Sequence, residues 1–122
     1  MASHVLLIED EPNIAEAIRF ILSRDGWQVS TMADGIGAAE AVREARHDLV
    51  ILDLMLPGCS GLEVLEAIRA DPVTEAVPVL MLTAKGQGRD REAAERAGVS
   101  RFMTKPFSNA EILASVRELV AR

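Results

Sequence analysis

Several polar clusters stand where chemistry could be done. Glu9-Asp10-Glu11 follows the apolar run His4–Ile8, and Asp53 closes the run Leu49–Asp53. Thr83-Ala84 ends the run of residues 77–83, and Lys105-Pro106 ends the run of residues 101–105. Carboxylates gathered in one place repel, raise one another's pKa values and cost stability. A hard divalent cation held by oxygen ligands removes that cost. Mg²⁺ suits such a site best, because it accepts one or two protein carboxylates, keeps several waters and usually works beside a phosphate. Lys105 and Thr83 offer an ammonium and a hydroxyl to phosphoryl oxygens. An aspartate beside Mg²⁺, a lysine and a hydroxyl can act as a nucleophile and become an aspartyl phosphate, which makes Asp53 the candidate acceptor.

For these groups to meet, the runs that end in them must lie side by side and point the same way. The apolar runs cover residues 4–8, 27–32, 49–53, 77–83 and 101–105. Their lengths and β-branched content favour strands. Amphipathic stretches lie between and after them. Ile14, Ile18, Ile21 and Leu22 share one helical face, and Ile112, Val116, Leu119 and Val120 share another. Leu62, Leu65 and Ile68 form a further stripe, and Ile36, Ala39 and Val42 a weaker one. Residues 90–97 carry only alanines on their apolar side, so this helix is expected to be the most mobile. Pro12 suits a first helical turn, and Gly26 follows that helix's end. Ser108 with Glu111 reads as a capping box for the last helix. Pro57-Gly58 marks a turn, and Gly98 ends the fourth helix.

Strict alternation of strand and helix implies an α/β fold, with helices on both faces of a parallel sheet. Strands buried on both faces read as unbroken apolar runs, and VLLI, LVIL and VLML do so. WQVSTM alternates and RFMTK is mixed, so the second and fifth strands belong at the edges. The expected architecture is flavodoxin-like: a doubly wound five-stranded parallel sheet in the order 2-1-3-4-5, with five helices. Ligands then bind at the carboxyl ends of the strands beside the reversal between strands one and three.

The chain has 122 residues and a mass of 13.2 kDa, so residues 1–122 are expected to form a single domain. Hydrophobic residues at 49% and charged residues at 26% argue against disorder. Nineteen acids against 13 bases give a net charge of −6, which lacks the basic footprint of direct nucleic-acid binding. Cys59 has no partner for an internal disulfide, which fits a reducing cytosol. No apolar run approaches the ~18 residues of a membrane span. The acidic N-terminal stretch does not read as a signal peptide. A cytoplasmic protein without membrane contact is expected. A P-loop is excluded, since no GxxxxGKS or GxxxxGKT is present. A flavin-binding flavodoxin would need a Ser/Thr-rich loop after the first strand, where this chain has acid, and aromatics, which here total 3%.

Four stretches, VLLIEDEP, LVILDLMLPGCSG, VPVLMLTA and FMTKPF, resemble the receiver domain of bacterial two-component response regulators, over essentially the whole chain. The resemblance implies that Asp53 accepts a phosphoryl group from the phosphohistidine of a histidine kinase or phosphotransfer protein. It implies that Asp10 ligates Mg²⁺ with Asp53 and the main-chain carbonyl of Met55. Glu9, where many relatives carry Asp, would act through metal-bound water. Lys105 and the main chain of Ala84 would bind phosphoryl oxygens, and the Lys105–Pro106 bond would be cis. Thr83 would move toward the phosphoryl group while Phe102 turns inward. Met55 and Lys85 would sit where the family varies phosphoryl lifetime. Such a domain catalyses its own phosphorylation and dephosphorylation and is otherwise not an enzyme. The face of the fourth helix, fifth strand and fifth helix would report the state to a downstream partner.

Taken singly, these residues have plainer readings. Asp53 would be a solvated or capping acid, Thr83 an ordinary strand-end residue and Lys105 a solvated lysine; the constellation overrides those readings. Glu11 is left as an acid favouring a helix N-terminus. Phe102 has an ordinary core role as its alternative. Trp27 is read as edge packing, and Cys59 as incidental. His4 and His47 are read as structural or surface residues, and the methionines as core. The rival enzyme is an aspartate-nucleophile phosphohydrolase, but Asp53-Leu54-Met55-Leu56 lacks the second Asp of DxDxT. Within the receiver class, LTAK and TKPF resemble winged-helix transcription factors. Their receivers usually dimerise through an acidic pair before the fifth-strand aromatic and an Arg in the last helix. Ser100, Arg101 and Ser115 stand at those positions. A stand-alone receiver, monomeric or weakly dimeric, is therefore expected, with a receiver fragment of a transcription factor as the alternative.

Overall fold

The elements follow the expected alternation: β1 (His4–Ile8), α1 (Pro12–Arg24), β2 (Gln28–Met32), α2 (Ala38–Glu44), β3 (Leu49–Asp53), α3 (Gly61–Ala70), β4 (Val79–Thr83), α4 (Gly88–Arg96), β5 (Arg101–Thr104) and α5 (Asn109–Val120). They come from a computed structural model that describes residues 3–84 and 88–120. The strands form one parallel sheet in the order β2-β1-β3-β4-β5. Every residue of β3 and β4 is buried, whereas β2 and β5 alternate or lie half-open at the edges.

Strand pleating divides the core in two. Leu6, Ile8, Val50, Leu52, Val79 and Met81 face α2, α3 and α4, where Val42, Val64, Leu65, Ile68 and Ala94 cover them. Val5, Leu7, Leu49, Ile51, Leu80 and Leu82 face α1 and α5, where Ile18, Leu22, Ile112 and Val116 close the layer. The single buried residue of α4 is Ala94.

Local chemistry sets the boundaries. The Trp27 N–H bonds the Leu22 carbonyl rather than the sheet, so β2 starts one residue later than the apolar run. Pro78 has no N–H to give, and β4 begins at Val79. Pro106 likewise cannot extend β5. The Ser108–Glu111 capping box is present, with N–H···O distances of 2.7 and 3.0 Å. A second box, Ser60 with Glu63, opens α3 at 3.1 and 3.2 Å. Ile36 departs from the expected α2 stripe. The Asp34 carboxylate accepts the Ile36 N–H at 2.9 Å, and Gly37 takes φ 76°, so the helix starts at Ala38 and Ile36 is exposed.

Candidate functional site

Parallel register brings the strand ends to one edge. Ile8 lies beside Leu52, Asp53 beside Leu82, and Thr83 beside Thr104. The next residues stay tied to their neighbours. The Glu9 N–H donates to Met32, Leu54 to Leu82 and Lys105 to Thr83, at 3.0, 2.8 and 2.7 Å. Glu9, Asp10, Asp53, Thr83, Ala84 and Lys105 thus stand together beside the reversal between β1 and β3, where a doubly wound sheet holds ligands.

Glu9, Asp53 and Thr83 are buried, with 3%, 4% and 2% of their surface exposed, while Asp10 is open to solvent. One carboxylate oxygen from each of Glu9, Asp10 and Asp53 falls within 4.8 Å of the others. The Lys105 ammonium bridges two of them, donating to Glu9 Oε1 at 3.0 Å and to Asp53 Oδ2 at 3.3 Å. The second oxygens are also held: Glu9 Oε2 accepts the Glu11 N–H at 3.1 Å, and Asp53 Oδ1 accepts the Met55 N–H at 3.2 Å.

Burial, opposed by Lys105 and the Glu11 N–H and reinforced by Asp53, raises the Glu9 carboxyl to about 7. Burial works against the Lys105 charge too, but the Glu9 hydrogen bond and the fields of Asp53 and Glu9 outweigh it and raise its pKa. One ammonium thus leaves the acidic cluster short of positive charge. Three hard oxygen donors, two of them buried, fit a divalent cation of the Mg²⁺ kind. Both oxygens of Glu9 and both of Asp53 have protein partners, while Asp10 stands open to solvent.

The Lys105–Pro106 peptide bond is cis. Met55, read with the other methionines as core, is instead exposed, and Ala84 lies exposed just past Thr83. Lys85 is outside the described residues. Phe102 is half-buried at the rim of the core layer under α4, and the Arg91 guanidinium stands 5.8 Å from its ring centre. His4 bonds the Ser30 hydroxyl at 2.8 Å and lies 4.8 Å from the His47 ring, remote from the acids.

Two features are given no role by the sequence. Gly61 packs against the main chain of Asp53: a Cβ there would collide with the Asp53 carbonyl oxygen. The only hint in the sequence is a glycine just inside a capped helix. Beside Lys105, a groove of about 540 Å³ opens between Ile14, Ala17 and Ile21 of α1 and Phe107. The α1 stripe reads as core, yet only Ile18 and Leu22 of it are buried.

Fold and site together define a doubly wound α/β domain whose switch point holds an acidic, oxygen-donor pocket and a lysine. A family model described as "Response regulator receiver domain" matches residues 5–117, and the chain belongs to that family. It is a signalling domain of two-component systems rather than a conventional enzyme. The chain is 43% identical over 118 residues to "Probable transcriptional regulatory protein TcrX" of Mycobacterium tuberculosis, covering 97% of this chain and 50% of the relative. It is 39% identical over 122 residues to "DNA-binding response regulator MtrA" of Mycolicibacterium smegmatis, covering 100% of this chain and 52% of that protein. It therefore spans about half the length of these curated relatives. The receiver domain of a Pseudomonas aeruginosa sensor histidine kinase, solved with a magnesium ion coordinated in its active-site cleft, superposes with a TM-score of 0.92 at 31% identity, covering 100% of both chains.

Proposed function

We propose that Asp53 accepts a phosphoryl group from a phosphohistidine of a histidine kinase or phosphotransfer protein. The observation that carries this reading is the Lys105 ammonium held between Glu9 and buried Asp53, with Asp10 within carboxylate reach. Asp10, Asp53 and the Met55 carbonyl would hold Mg²⁺, with Glu9 acting through water. The cation would offset charge on the transferring phosphoryl oxygens.

Asp53 forms a P–O bond as the P–N bond of the donor breaks. The bonding pair returns to the imidazole nitrogen, which takes up a proton. Lys105 transfers its hydrogen bond from the Asp53 carboxylate to a phosphoryl oxygen. The Thr83 hydroxyl and the Ala84 main chain bind the other oxygens. The added charge of about −1.5 to −2 draws Thr83 inward, and Phe102 follows, altering the face of α4, β5 and α5. Self-dephosphorylation is attack of water on phosphorus, releasing phosphate and restoring the Asp53 carboxylate.

The apolar groove beside Lys105 supports docking of the histidine-bearing partner on α1. Ile21→Asp is expected to slow transfer from a phosphohistidine protein about tenfold or more, while transfer from a small donor is unchanged. Equal slowing of both reactions would refute docking there. The similarity to DNA-binding regulators supports the reading that this receiver serves a transcriptional output, reached through protein contacts, in the reducing cytoplasm.

The test is intact mass after incubation with Mg²⁺ and a small acyl or amido phosphate. One phosphoryl adduct is expected in wild type, and none in Asp53→Asn or after chelation. An adduct that survives in Asp53→Asn refutes the assignment.

A further inference from the structure

Arg69, in the last turn of α3, makes four hydrogen bonds, and all of them reach across to other segments. Its Nη1 donates to the Glu75 and Val77 carbonyls at 3.0 and 2.7 Å, just ahead of β4. Its Nε donates to the Gly98 carbonyl at 2.8 Å, and its Nη2 to the Ser100 hydroxyl at 3.3 Å, just ahead of β5. The Ser100 hydroxyl also accepts the Val79 N–H at 2.9 Å, and the Ser100 N–H donates to the Val79 carbonyl at 3.0 Å. Gly98, at φ 95°, lies flat against the arginine, whose Nε a Cβ would meet at 3.2 Å and whose stem at 3.3 Å. The guanidinium is half-buried, and burial lowers its pKa. It serves as a rigid fork for main-chain carbonyls, a geometry that a lysine cannot reproduce.

The fork fixes both roots of one excursion of the chain. From the first root β4 runs to Thr83; from the second β5 runs to Phe102 within two residues. We propose that Arg69 is a positioning residue for the receiver's response: it pins the bases of β4 and β5. Displacement of Thr83 then passes to α4 and β5 instead of dissipating as sliding at the base. This rests on the reading of Asp53 as acceptor and of Thr83 and Phe102 as the responding pair. A fixed base is what gives a two-state element discrete positions.

The experiment uses the full chain as wild type, Arg69→Met, Arg69→Lys and Ser100→Ala. Intact mass with a small phosphate donor reads acceptance at Asp53. Amide NMR shifts, with and without Mg²⁺ and beryllofluoride as the phosphoryl mimic, read the response of residues 88–104. Native-state hydrogen exchange reads local opening. All folded variants are expected to form the adduct at wild-type rate. In Arg69→Met, the mimic-induced shifts at β5 fall to half or less, and amides of residues 98–104 exchange about tenfold faster, while β1 and β3 are unchanged. Arg69→Lys restores the response in part, and Ser100→Ala weakens it in the same direction. Wild-type shifts in Arg69→Met, or exchange accelerated equally across the sheet, overturn the proposal and leave the Asp53 reading intact. If Arg69→Met does not fold, an unchanged response in Ser100→Ala overturns it instead. No adduct in wild type overturns both.

Discussion

At the scale of single residues, the site depends on one ammonium between buried acids. Lys105→Met strips Glu9 and Asp53 of their shared counter-charge, and an expected loss of about 1–3 kcal/mol follows. Arg19→Met breaks an exposed pair with Glu16 and is expected to change stability by about 0–1 kcal/mol. Urea unfolding without metal checks both, and equal effects would contradict the role given to Lys105. Gly61→Ala sets two effects against each other. Alanine gains about 1 kcal/mol of helix propensity. Its Cβ meets the Asp53 carbonyl, which is backbone and cannot rotate aside. Crowding wins: a net loss of stability and slower phosphorylation from a small donor are expected, and a stabilised, fully active variant would contradict this. Asp53, Thr83 and Lys105 were legible in the sequence because each closes an apolar run, and strand ends converge in a parallel sheet. Gly61 and Arg69 were not, because their importance lies in what the fold brings against them. Arg69 pairs with three carbonyls and a hydroxyl 6 to 31 residues away, and no local spacing encodes that.

At the scale of elements, α1 and α5 are tied where both cover one face of the sheet. Asp25 at the end of α1 accepts from Arg117 Nη2 and Nε at 2.5 and 3.1 Å, and from the Trp27 indole at 3.0 Å. Arg117, then Trp27, hold its pKa below the usual 3.8. An acid whose native pKa is lowered stabilises the fold above its unfolded pKa, and that contribution is lost as pH falls through the native value. Asp25→Asn should therefore lower the denaturant midpoint at neutral pH, with the gap to wild type closing below pH 3.8. A gap that persists into strong acid would contradict the ion pair. Strand placement was readable because burial on both faces demands the unbroken runs of β3 and β4. Helix starts were less so: apolar Ile36 fits a helical stripe, but the Asp34 side chain and Gly37 end the pattern in a turn. The capping box at Ser60–Glu63 follows the same rule as that at Ser108–Glu111 and was equally legible.

At the scale of the whole molecule, the net charge of −6 is spread unevenly, and three of its acids gather at the reversal between β1 and β3. Mg²⁺ binding to the native state alone raises stability by about 1.4 kcal/mol at ten times its dissociation constant. Asp10→Asn should lose most of that gain, and calorimetry at matched ionic strength checks it; a gain unchanged in the variant would place the cation elsewhere. Arg101 pairs within the chain with Glu118, and Ser115 is buried, so the α4–β5–α5 face lacks the charge set of the winged-helix dimers. Size-exclusion with a phosphoryl mimic should show a mainly monomeric species, and a tight mimic-dependent dimer would contradict this. No helix among the described residues is long and apolar enough to cross a membrane. Formation of the acyl phosphate at Asp53 is read by phosphorylating the chain, reducing it with borohydride and mapping its peptides. Homoserine is expected at position 53 and nowhere else; reduction at any other carboxylate, or phosphate retained on another residue with Asp53 intact, would refute phosphorylation at Asp53.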